Sequence, residues 1–122
     1  MADRIRTTFY LPVTRSAERT AYLRTINHVN SLRPRDGALQ PGVVIDGYTV
    51  SIDDPAIFGG MYWSSSTWIR DEIVLLIIDI PPAKYDQDAI RQLKLTIAAF
   101  YDQEGATQEV LYCTTKEIDL LQ

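Results

Sequence analysis

The stretch "IVLLIIDI" (residues 73–80), closed by Pro81 and Pro82, constrains the fold more than any other part of the chain. It is rich in β-branched residues and has strand rather than helix length. Successive strand residues point to opposite faces, so this strand is apolar on both. Such a strand belongs at the centre of a sheet, with cover on both sides from its own helices or from another subunit. At eight residues it falls far short of the roughly 20 needed to span a bilayer.

Two segments have the helical period that could supply cover. Over residues 16–32, Ala21, Tyr22, Ile26, Val29 and Leu32 share a face, with Leu23 at its margin, and Thr14 or Ser16 is placed to cap the start. The second helix opens at Asp86 or Asp88 and runs to about Glu104. Its stripe is Ile90, Leu93, Ile97, Phe100 and Tyr101, and Gly105 stops it.

The remaining segments read as strands. Residues 4–11 alternate: Ile5, Thr7, Phe9 and Leu11 on one face, Arg4, Arg6, Thr8 and Tyr10 on the other. The stretch "GVVIDGYTVSI" is two strand-like runs joined by Asp46-Gly47, a favoured two-residue hairpin pair. Residues 61–70 read as one strand, 70–72 as a tight turn into 73–80, and 107–115 as the last strand. The tail "KEIDLLQ" is a docked turn or part of a partner contact.

The expectation is one α+β domain over residues 1–122. Its sheet is mainly antiparallel, with five or six strands and both helices packed on one face. The order β-α-β-β-(β)-β-α-β suggests a ferredoxin-like variant.

Charge limits the functions open to this chain. The formal net charge is −4, which argues against a dedicated nucleic-acid binder. Yet residues 1–40 hold seven arginines against three acids, and residues 41–122 hold five bases against thirteen acids. The simplest reading is that the early arginines pair with the later acids across one fold. An anion-binding arginine face is the less favoured reading. The single cysteine, Cys113, permits no internal disulfide, and the first residues lack the apolar core of a signal peptide, so a cytoplasmic setting is expected.

Catalytic patterns are sparse. The one histidine, His28, lies at the edge of the first helix's apolar stripe, where a locally bonded imidazole is the ordinary role. Asp79 ends the apolar strand, a position from which a carboxylate can be presented to a substrate; ending the strand is its plainer role. Cys113 reads as a small buried hydrophobe. No Cys/His spacing suits a metal and no motif calls for a cofactor, so none is expected.

The aromatics remain. "FGGMYWSSSTWI" (residues 58–69) concentrates Phe58, Tyr62, Trp63 and Trp68. Tryptophan and tyrosine favour interfaces and pockets because they join a large apolar area to a polar edge. In one regular strand Trp63 and Trp68, five apart, would point to opposite faces, leaving one on the sheet face away from the helices. The function expected is therefore a small, soluble, non-catalytic interaction module, homodimeric through its sheet face. A small-molecule-binding domain or small enzyme, with an aromatic-lined pocket near Trp63 and Trp68, is the alternative. No membrane partner is expected.

Overall fold

The computed structural model of the chain describes residues 2–32, 47–50, 59–64, 66–108 and 111–120. Among the described residues, five strands and two α-helices follow in the order β1 (Arg4–Pro12), α1 (Ser16–Ser31), β2 (Thr49–Val50), β3 (Gly59–Ser64), β4 (Thr67–Ile80), α2 (Gln87–Gln103) and β5 (Cys113–Ile118). A single 3₁₀ turn, Pro82–Lys84, follows β4. The fold class is α+β, with one antiparallel sheet.

That sheet has four strands along its path, in the order β2-β4-β1-β5, rather than five or six. β3 lies off the path and pairs only with β4. The reason is the length of β4. Its last eight residues pair with β1, from Ile5↔Ile80 to Pro12↔Ile73. Its first six run past the end of β1 and pair with β3, from Gly59↔Glu72 to Ser64↔Thr67. At about 3.4 Å per residue, this two-stranded ribbon projects roughly 20 Å beyond β1.

The expected turn at 70–72 is therefore absent, and 61–70 is not one strand. The chain reverses instead between Ser64 and Thr67, with Ser66 in the left-handed region at φ 64. Arg70, Asp71 and Glu72 continue β4, since charged residues are compatible with a strand of a two-stranded ribbon as well as with a loop. The first arm of the hairpin expected around Asp46-Gly47 lies outside the described residues; the second arm is present as β2, paired Thr49↔Ile77 and Val50↔Leu76 with β4. The last strand comes later than 107–115 because pairing with β1, from Phe9↔Cys113 to Arg4↔Ile118, sets its limits. Ala106 and Leu111, ahead of it, are buried in the core.

The helices form where expected. Asp86 caps α2, its carboxylate accepting from the amides of Asp88 (2.9 Å) and Ala89 (3.3 Å). Gly105, at φ 74, ends it. The start of α1 is fastened differently from the expectation. Arg15 occupies the N-cap, and Glu18 reaches back to accept from its backbone N–H (2.9 Å). The Thr14 hydroxyl instead accepts from the Glu72 amide (2.7 Å), tying the entry to α1 onto β4.

The core lies on one side of the sheet. Phe9 and Leu11 of β1 and Leu76, Ile78 and Ile80 of β4 pack with Ala21 and Val29 of α1 and with Ile90, Leu93, Ile97 and Tyr101 of α2. The Tyr101 hydroxyl donates to the Pro12 carbonyl (2.9 Å), so the buried phenol is satisfied where β1 ends. Burial, with Glu18 and Tyr22 nearby, pushes its ionisation well above the ordinary range.

Candidate functional site

The other side of the sheet carries the candidate surface. Even positions of β1 and odd positions of β4 face away from the core, and register places Arg6 beside Asp79, Thr8 beside Ile77, Tyr10 beside Leu75 and Pro12 beside Ile73. β5 adds Ile118, Lys116 and Thr114 opposite Arg4, Arg6 and Thr8. The Tyr10 amide bonds to the Tyr112 carbonyl, which brings Tyr112 into the same row. Tyr112 is 65% exposed. Ile73, Leu75 and Ile77 are only half-buried, whereas their alternates Val74, Leu76 and Ile78 are buried in the core. Among the described residues, the centre of this face is thus aliphatic and flanked by tyrosines, with Pro12 buried at one end; its edges carry threonine and charge.

Asp79 belongs to this face, but not as a presented acid. Its two carboxylate oxygens accept from Arg6 Nε (2.8 Å) and Nη2 (2.9 Å) in a bidentate pair between register partners. The Arg6 hydrogen bonds hold the Asp79 carboxyl below the usual carboxylate range, against the opposing effect of burial. A carboxylate held ionised and spanned by a guanidinium is poorly placed to take up a proton in catalysis.

His28 is elsewhere. It sits on α1 with its ring edge-on to Phe100 of α2, centroids 5.7 Å apart at 71°. Arg24, one turn earlier, stacks over the same phenyl ring at 4.6 Å and pairs with Glu104 at 3.0 Å. The cluster joins the two helices, on the opposite side of the sheet from Asp79. Cys113 is half-buried against the core, and burial raises its thiol pKa, partly offset by Lys94. Such a thiol has little thiolate character.

The aromatic positions are rearranged by the hairpin. Trp63 and Trp68 are direct register partners across the ribbon, as are Tyr62 and Ile69. Register partners in an antiparallel pair share a face. The two tryptophan positions therefore lie on one side of the ribbon, the side continuous with the helix-facing side of β4. The single strand over 61–70, on which their opposite placing was expected to rest, does not form, because the chain reverses between them. Tyr62 and Ile69 take the side continuous with the open face. Phe58 lies outside the described residues. The structure thus brings together Asp79, Arg6 and the β4 aliphatics, and keeps His28 apart from them.

Sequence reasoning overlooked Tyr10, Tyr112 and Glu18. The alternation of residues 4–11 placed Tyr10 on the solvent side, but its neighbour Leu75 follows only from register. Glu18, 3% exposed, accepts from the Arg15 amide and from Gln108 Nε2 (3.1 Å), locking α1 to the segment before β5. The capping-box spacing from Arg15 was its one local signal.

The arginine imbalance resolves in part as intramolecular pairing. Arg6–Asp79 and Arg24–Glu104 cross the fold, while Arg19 donates to the carbonyls of Val13 (3.3 Å) and Thr14 (2.7 Å). Among the described residues, no group of three or more His, Cys, Asp or Glu could hold a metal ion, and no helix is long and apolar enough to cross a membrane. Compared with known proteins, the chain matches no protein-family model and no curated sequence.

Proposed function

We propose that the chain is a small, soluble, cytoplasmic and non-catalytic interaction module that self-associates through the open face of its sheet. Its path β1-α1-β2-β4-α2-β5 with sheet order β2-β4-β1-β5 supports a ferredoxin-like plan, in which β3 and the start of β4 are an added ribbon.

One observation carries the reading: the incompletely buried aliphatic row Ile73, Leu75 and Ile77, set between β1 and β2 and bordered by Tyr10 and Tyr112. An antiparallel sheet can leave one face to water, but that face is then polar along every strand. β1 and β5 follow this rule in part, with arginine, lysine and threonine beside Tyr10, Pro12 and Ile118; β4, at the centre, does not. Apolar patches of this kind on a protein surface mark association sites, and a two-fold dimer is the commonest way to cover one.

The test is the mass in solution by sedimentation or light scattering over a range of concentrations. The wild type should be a dimer. Ile77→Glu should be a folded monomer by circular dichroism and mass, whereas Leu23→Glu, on the exposed side of α1, should stay dimeric. A wild type that is monomeric at every concentration overturns the reading.

A further inference from the structure

We propose that β5 is a detachable edge strand held closed by a latch, the buried carboxylate of Glu18. The β5 border of the open face then forms only while the latch is engaged, a consequence that rests on the self-association reading above.

β5 has little of its own to hold it. Among the described residues it pairs with β1 alone, at the end of the order β2-β4-β1-β5. Thr114, Thr115, Lys116 and Glu117 are exposed. Cys113 is the one residue of the strand that packs against the described core. An element with few buried apolar contacts and solvent-facing backbone bonds opens locally while the rest stays folded. The far end of β5 is tied by Asp3, whose amide donates to the Ile118 carbonyl (3.0 Å) and whose carboxylate accepts from the Leu120 amide (2.7 Å).

The near end is held from α1. Glu18 is 3% exposed, and its two oxygens are divided between two parts of the chain. Oε1 accepts from the Arg15 amide (2.9 Å), which closes the cap of α1. Oε2 accepts from Gln108 Nε2 (3.1 Å), with the Arg15 guanidinium 3.6 Å away. The same Gln108 nitrogen donates to the Ala106 carbonyl (2.8 Å). Gln108 shortly precedes Tyr112, whose carbonyl accepts from the Tyr10 amide and so begins the pairing with β1. Capping needs one carboxylate oxygen; the second fixes the approach to β5. When that second bond breaks, Tyr112, Thr114 and Lys116 are free to leave the open face together.

Native-state hydrogen exchange in low urea reads the latch. The Tyr10–Tyr112 bond and the alternation of an antiparallel ladder turn the amides of Thr114 and Lys116 toward β1. In the wild type these two should exchange through a partial opening, faster and with a weaker urea dependence than the β4 amides of residues 74–78. In Glu18→Gln the carboxamide oxygen still accepts from the Arg15 amide, but its NH2 group opposes that of Gln108; turning either amide around breaks another bond. The partial opening should become roughly tenfold more frequent, the scale of one hydrogen bond to a charged group. Gln108→Ala, which leaves the α1 cap intact, should have at least the same effect, and the double variant no more than Gln108→Ala alone. If Thr114 and Lys116 exchange only with global unfolding, or if neither single variant speeds them, the latch is overturned.

The same measurements on Ile77→Glu separate this inference from the self-association reading. The latch effect should persist in that variant whether or not the wild type assembles. In the wild type, β5 exchange should also slow as protein concentration rises, because assembly selects the closed strand. If it does not slow while Ile77→Glu still turns a dimer into a monomer, β5 is no border of the interface and the coupling falls.

Discussion

Single residues show where this fold is over- or under-satisfied. Thr7 is fully buried on the core side of β1, and its hydroxyl finds no hydrogen-bond partner among the described residues. A buried unpaired hydroxyl carries its desolvation cost without return. Thr7→Val keeps the shape and the β-branch, so it should raise the unfolding free energy by about 1 kcal/mol in a urea titration. Asp79 is the opposite case. Its carboxyl is ionised more readily in the folded state, through Arg6, than in the unfolded chain. The stabilisation is present above the unfolded aspartate pKa of about 3.9 and is lost as pH falls through the lower folded value. Both side chains are about one-third exposed, at 35% and 32%, so solvent screens the pair. Asp79→Asn should cost about 0.5 kcal/mol at neutral pH, and wild type and variant should converge below about pH 4 in acid titrations of stability.

Among the elements, the β3–β4 ribbon is the most weakly supported. A two-stranded ribbon is marginal alone in water, so its turn matters more than a turn inside a sheet. Ser66 holds a left-handed backbone without being glycine. Ser66→Gly should relieve that strain, less what glycine adds to the freedom of the unfolded chain, and slow amide exchange through β3 and the start of β4. Ser66→Val should speed it, because a β-branched residue tolerates that region poorly. The helices differ in kind. α2 is closed at both ends by local chemistry, Asp86 and Gly105, whereas α1 depends on a buried Glu18 that also holds Gln108. The ends of α2 could thus be read from sequence, while the start of α1 was misassigned to Thr14 or Ser16.

For the whole molecule, self-association predicts that stability depends on concentration. The melting temperature of the wild type should rise with protein concentration, and that of Ile77→Glu should not, because mass action stabilises only a species that assembles. A flat wild-type series would count against the dimer. How much of this was legible follows from the range of the forces. Residues 73–80 announced a central strand because alternation is a property of neighbours, and the same held for the stripe of α2 and the two faces of β1. Pairing was not legible in this way. Arg6 meets Asp79 across 73 residues, and which side of β4 stays open depends on where α1 and α2 pack. The reversal between Ser64 and Thr67 competed with the charged run 70–72, and both are chemically acceptable turns. The overhang of β4 beyond Pro12 decided between them, and with it put Trp63 beside Trp68. Sequence by itself therefore determined the two helices, β1 and the central run of β4 with their buried faces, through short-range periodicity. Only the tertiary structure decided register, and register settles which side chains meet.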